Sequence, residues 1–163
     1  MTRPLSLLLL LAFVATGCGR IAERRFDRIA HEVTARDTAV YLTPFGVPTR
    51  PFSPAVRVGN LILLAGQIGT TGADATGTLV PGGIAAETRQ TMENIKTVLA
   101  AVGSSMDQVV KCTVMMADMA EWDRMNAVYR TYFAPARLPA RSALGANGLA
   151  LGARVEIECF ATR

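Results

Sequence analysis

Two residues of opposite charge near the end of the 163-residue chain have the chemistry for a reaction: Arg141 in Pro139-Ala-Arg-Ser142 and Glu156 in Val155-Glu-Ile-Glu158. A guanidinium is a planar fork of donors matched to a carboxylate. A glutamate held beside a substrate can accept a proton from water and so activate it for attack. An arginine and a glutamate facing one cleft would therefore suit hydrolysis of a small carboxylic acid without help from a metal. The same residues have an ordinary reading. An arginine before an apolar run is commonly a surface ion-pair partner, and Glu-x-Glu on a strand is commonly its wet face. Spacing alone leaves both readings open.

Positioning the pair falls to two strands. Ala153, Val155, Ile157, Cys159 and Ala161 alternate with Arg154, Glu156, Glu158 and Phe160, the period-two pattern of a half-buried strand. Ala140 to Leu144 predicts a short strand carrying Arg141, with Gly145, Gly148 and Gly152 supplying the loop between. If these strands are neighbours, Arg141 and Glu156 face one cleft. Upstream, Ala55 to Val58 and Leu61 to Ala65 flank Gly59-Asn60, which predicts a hairpin because the turn needs positive φ. Gly66 to Gly83 is a long Gly- and Thr-rich loop. Ala85, Thr88, Met92, Ile95, Leu99 and Val102 recur at threes and fours, the stripe of a helix that Gly103 ends. Val109 to Ala117 predicts a central strand.

A second helix, about Met119 to Phe133, opens with Asp118 and Glu121 as a variant capping box. Its apolar stripe runs Met119, Trp122, Asn126, Tyr129, Phe133, with one amide in the middle. A buried amide must find partners or cost about 1–3 kcal/mol. Asn126 therefore either bonds neighbouring backbone or lines a polar cavity.

The N-terminus has a different logic. Arg3 is a minimal positive flank, Leu5 to Ala15 is apolar, and Ala15-Thr-Gly precedes Cys18, which is secretory-signal architecture. The run falls short of the roughly 20 residues that span a bilayer. Small residues before a cysteine resemble a bacterial lipobox, so residues 1–18 are expected to be a lipoprotein signal peptide, with Cys18 the lipidated first residue of the mature chain. The alternative is an ordinary signal peptide with an incidental cysteine. Residues 19–50 are expected to be a basic amphipathic tether. Ala22, Phe26, Ile29 and Val33 form one stripe and five arginines lie mostly elsewhere, so the tether either lies on an anionic membrane, packs on the domain or acts as a spacer. The proline-rich stretch from Thr43 to Pro54 reads as an extended entry arm. The expected location is the cell envelope, anchored by lipid and facing the periplasm.

Composition narrows the rest. A net charge of +4 without massed basic residues gives no nucleic-acid footprint. The single histidine, His31, falls in the tether, so no His-based triad or zinc cluster can be assembled, and no metal is expected. Cys112 and Cys159 remain once Cys18 is lipidated. An oxidising compartment would permit them to pair; sitting mid-strand among apolar residues, they are expected to be two buried free thiols.

Read in order, Pro51-Phe-Ser-Pro54, Gly59-Asn60, Gly66-Gln67-Ile68, Thr91-Met-Glu-Asn-Ile-Lys96, Val110-Lys111-Cys-Thr-Val114, Asn126-Ala-Val-Tyr129 and the C-terminal Pro-Ala-Arg-Ser to Val-Glu-Ile-Glu signature resemble the RidA/YjgF family of enamine and imine deaminases. The resemblance covers residues 51–163. It implies an α+β fold similar to the bacillus-type chorismate mutases: a six-stranded, mostly antiparallel sheet with two helices on one face, assembled as a homotrimer with clefts between subunits. It also implies that Arg141 grips a substrate carboxylate, Glu156 positions the attacking water, and Asn126 borders the cleft. Three binding positions depart from the family pattern: Phe52 stands where many members have Tyr, Ala65 where they have Ser, and Ala143 where they have Cys. The implied activity is cofactor-independent hydrolysis of 2-imino acids to 2-keto acids and ammonia. The alternative is a periplasmic module that binds a small carboxylate and has lost turnover. Endoribonuclease, a label also attached to the family, finds no aromatic-interleaved basic groove here.

The leader makes a direct prediction. Cys18→Ser should leave the chain unprocessed or released, while the wild-type chain should partition with membranes and carry acyl mass by mass spectrometry.

Overall fold

The computed structural model describes residues 38–73 and 77–163. The signal peptide, Cys18 and most of the tether lie outside the described residues. Seven strands form one sheet: β1 (Ala39–Leu42), β2 (Ala55–Val58), β3 (Leu61–Leu64), β4 (Gln67–Ile68), β5 (Val109–Met116), β6 (Ala140–Gly145) and β7 (Val155–Thr162). Two α-helices accompany them, α1 (Gly83–Ala101) and α2 (Trp122–Tyr129). The order across the sheet is β1-β2-β3-β7-β5-β6, and β4 pairs with β7. Because β3 and β4 follow each other along the same edge of β7, the sheet is six strands wide. All pairings are antiparallel except β5 with β6. The first of these strands lies inside the stretch expected to be tether: Ala39 to Leu42 pair with Val58 to Ala55.

The elements form where their residues dictate. Gly59 takes φ 58° in the β2–β3 hairpin, a conformation costly for other residues. β7 buries Val155, Ile157, Cys159 and Ala161 and leaves the alternate positions half-exposed. α1 buries Ile84, Met92, Ile95, Val98 and Leu99 against that face, each fully buried large side chain contributing about 1.5–3 kcal/mol. Gly103, at φ 81°, breaks the helix, and the Ser104 amide donates to the Leu99 carbonyl at 2.9 Å.

α2 differs in two ways from its expected form. It is one α-turn segment between two 3-10 turns, and its buried residues are Met125, Val128 and Tyr129, with Met119 exposed. The true core stripe is therefore rotated, which leaves Trp122 and Asn126 half-buried on its flank. The expected capping box is half formed. Asp118 accepts from the Ala120 amide at 2.9 Å, but the buried Glu121 carboxylate is committed elsewhere, to Arg124 and Arg154, both at 2.9 Å. Arg154 also gives its backbone N–H to Glu87 at 2.8 Å. A buried carboxylate needs cations and donors, so this cluster ties the start of β7 to both helices.

The cysteines correct the expectation of free thiols. Cys112 on β5 and Cys159 on β7 are register partners, with Cα atoms 4.1 Å apart, and are joined by a disulfide. Both are fully buried. Burial among apolar neighbours was compatible with thiols; what decides the matter is the cross-strand register. The bond closes a loop between residues 47 apart, for which the stabilisation is about 2–4 kcal/mol. Cys112→Ala with Cys159→Ala should lower the unfolding free energy, read from urea titration, by that amount. The unreduced wild-type domain, unfolded in denaturant, should titrate no thiol from either residue.

Candidate active site

Strand register decides where the chemistry-bearing residues go. Arg141 on β6 lies opposite Cys112, whose side chain faces the helices. Arg141 therefore points toward α2. Its Nη1 donates to Asn126 Oδ1 at 2.8 Å, and its guanidinium carbon stands 4.9 Å from the Trp122 ring and 4.8 Å from the Tyr129 ring. Each such cation–aromatic contact contributes about 0.5–2 kcal/mol and fixes the plane of the fork. Of the two roles its sequence position suggested, Asn126 takes the second, at the edge of a cavity, and not the bond to backbone. Its carbonyl oxygen holds a side chain instead of backbone, while the residue also lines a cavity.

Among the described residues no carboxylate pairs with Arg141. The charge is half-buried and uncompensated by any acid. Arg141 and Asn126 border a cavity of about 360 Å³ whose other walls are mainly apolar. Tyr129 lies beneath the guanidinium, and burial pushes its phenol up to about 12, opposed by the nearby Arg141 charge. Its hydroxyl is buried and has no hydrogen-bond partner among the described residues. Trp122 and Tyr129 were legible in the sequence only as core stripe; their role in holding Arg141 appears once the stripe is seen to face β6.

Glu156 belongs to a different surface. It pairs with Met115 on one side and Ile68 on the other, and Met115 points away from the helices. β5 intervenes between the strands of Arg141 and Glu156. The two residues are also offset by three positions along β5, which places their Cα atoms on the order of 14 Å apart. Within one protomer they occupy opposite faces of the sheet and share no cleft. The proviso that the strands be neighbours is not met.

The Glu156 carboxylate rests on Gly66. A Cβ at that glycine would clash with Glu156 Oε1 where the carboxylate now rests. The backbone there is held from behind: the buried Asn94 amide donates to the Ile68 and Thr70 carbonyls, both at 3.0 Å. Burial, and then the neighbouring charge of Glu158, raise the Glu156 carboxyl above the ordinary carboxylate range. Ala65 sits next to Gly66, its amide donating to the Pro54 carbonyl at 3.0 Å. Phe52 is on the entry arm, half-exposed beside a small recess shared with Phe45 and Val47. Ala143, two residues from Arg141 on the same strand face, packs against the core. The expected site residues therefore separate: Arg141, Asn126 and Ala143 lie toward α2, Glu156 and Ala65 beside Gly66, and Phe52 in the recess of the entry arm. No group of three His, Cys, Asp or Glu side chains among the described residues is arranged to hold a metal.

The profile described as Endoribonuclease L-PSP matches residues 46–163. The chain belongs to the RidA/YjgF family. Mouse 2-iminobutanoate/2-iminopropanoate deaminase is 42% identical over 113 residues, which is 69% of this chain and 82% of the mouse protein. The chloroplastic Reactive Intermediate Deaminase A of Arabidopsis thaliana is 39% identical over 112 residues, 69% of this chain and 58% of that one. Among solved structures, the YjgF gene product of E. coli superposes with a TM-score of 0.66 at 30% identity, covering 76% of this chain and 98% of that one. Yeast Mmf1 gives 0.68 at 32%, covering 77% and 99%. The span matched by the family profile, residues 46–163, carries β2 to β7 and with them Asn126, Arg141 and Glu156.

The raised carboxyl of Glu156 carries a sign. A group easier to protonate when folded weakens the fold as pH rises from the unfolded toward the folded value, and the penalty persists above. Glu156→Gln should therefore raise the urea midpoint relative to wild type at pH 7.5. At pH 3.5, where the wild-type side chain is mostly neutral, the difference should largely vanish.

Proposed function

We propose that this chain is a 2-imino acid deaminase whose site is completed by a second copy. The observation that carries the reading is the state of Arg141: a half-buried guanidinium, braced by Asn126, Trp122 and Tyr129, with no carboxylate of its own. Such a fork is prepared for a carboxylate that arrives with a ligand. The relatives named as 2-iminobutanoate/2-iminopropanoate deaminases give the class of that ligand. Arg141 holds the carboxylate of the imino acid and so fixes its C=N carbon beside a water. The imine arrives protonated on nitrogen; Glu156 accepts a proton from that water as its oxygen bonds to the carbon and the C=N π pair moves to nitrogen, giving a carbinolamine. Glu156 returns the proton to nitrogen and then accepts the hydroxyl proton as the C–N bond breaks and C=O forms, so that ammonia and the 2-keto acid leave. Orientation supplies most of the acceleration, because imines already hydrolyse in water.

The Glu156 that serves a given Arg141 comes from a neighbouring subunit, since one protomer carries them on opposite faces. The open sheet face supports the assembly. Val56, Leu63 and Phe160 form one cross-strand row there, Val58, Leu61 and Leu144 stand exposed nearby, and an uncovered apolar face of this kind is an association surface. A homotrimer is the proposed closure. The envelope location and the lipid on Cys18 belong to the same proposal. The Cys112–Cys159 disulfide supports them, because such bonds persist in oxidising compartments.

The test separates the roles. Arg141→Ala should abolish both keto-acid binding and turnover of enzymatically generated imino acids, and Arg141→Lys should rescue poorly because it lacks the fork. Glu156→Gln should keep binding while turnover falls about 10²-fold or more. Sedimentation at micromolar concentration should give a trimer mass. Binding that depends on Arg141 with no turnover in the wild type would favour the binding-module alternative, to which the apolar Phe52, Ala65 and Ala143 point. A stable monomer that turns over normally would remove the intersubunit site.

A further inference from the structure

The cleft that one copy of the chain presents beside Arg141, before a second copy closes it, is larger and more apolar than a three-carbon imino acid requires. Its volume of about 360 Å³ corresponds to roughly a dozen waters at about 30 Å³ each, whereas an alanine-derived imino acid has only a handful of non-hydrogen atoms. Beyond Arg141 and Asn126, the walls are the Tyr129 and Phe133 rings, Pro135, Leu138 and Pro139. The two rings pack at 5.0 Å between centroids, and the prolines hold their backbone with little entropy to lose. Leu138 is 61% exposed, a large apolar side chain left in water at the cavity it lines. A pocket with one carboxylate grip and a rigid apolar wall is built for a ligand with an apolar tail.

Resting on the reading of Arg141 as the carboxylate grip, we infer that the site selects 2-imino acids with a branched aliphatic side chain over the alanine-derived one, and that Leu138 sets this preference. Each methylene withdrawn from water raises affinity about fourfold. An isobutyl side chain in place of a methyl therefore gains about tenfold or more even when burial is incomplete. Arg130 also lines the cavity and makes no ion pair among the described residues, which raises the competing occupant, a dicarboxylic side chain. The apolar lining argues against it, because a second carboxylate would lose its water along those walls for a single exposed partner.

Stable keto-acid products test this without relying on turnover. The full-length chain, purified in detergent, is titrated calorimetrically with pyruvate, 4-methyl-2-oxopentanoate and 2-oxoglutarate. The branched acid should bind about tenfold or more tightly than pyruvate, and Leu138→Ser should shrink that ratio several-fold. kcat/KM for imino acids generated from leucine and alanine by an amino-acid oxidase should follow the same order. Equal binding of all three acids, or tightest binding of 2-oxoglutarate, overturns the inference while leaving the grip intact, provided Arg141→Ala abolishes binding. Binding that survives Arg141→Ala, or no binding at all, overturns the grip itself and this inference with it.

Discussion

A cation that has lost part of its water and received no anion in return is costly, and the architecture around Arg141 is arranged to carry that cost. Two aromatic faces and one amide oxygen brace the guanidinium without neutralising it. All three come from α2, so the helix must sit over the edge strand at a fixed height and rotation. The Glu121–Arg154–Glu87 cluster fixes that height by fastening the N-terminal end of α2 to β7 and α1. Placing the charge is thus a task of the whole helical layer. The sheet supplies only the residue.

Much of this could be read in the chain. The alternation along Val155 to Ala161 gave the correct inward face, Gly59-Asn60 gave the correct turn, and the threes and fours of α1 gave its buried stripe. These are local patterns, set by the two periods of backbone geometry. What could not be read depends on which strand lies beside which. Within a single copy of the chain, Arg141 and Glu156 could share a cleft only if β6 and β7 were neighbours, and β5 lies between them. The same register that keeps the two charges apart brings Cys112 and Cys159 into bonding range. The rotation of α2 is not legible because the stripe through Asn126 and the one through Met125 are a single residue apart, and only packing decides which is buried. β1 was hidden by a basic stretch whose composition resembles a spacer until its last residues.

The disulfide and the Arg141 cation lie on one line across the sheet. Cys159 faces Cys112, and Cys112 faces Arg141. A covalent tie at the middle of that line holds the register of the central strands in the row that presents the cation. Register is the quantity that matters there, because a slip of one residue would turn Arg141 to the other face.

Gly66 shows a different kind of constraint. Its backbone is not in the positive-φ region that usually makes a glycine irreplaceable; the demand comes from outside, from a carboxylate occupying the space where a Cβ would be. Every change of a glycine codon that alters the residue introduces a Cβ or something larger. Because the obstructing group is the end of a flexible side chain, a substitution here would turn the Glu156 carboxylate aside and leave the strand in place. The torsion angles of this glycine are permissive, and what a substitution would change is where that carboxylate is held.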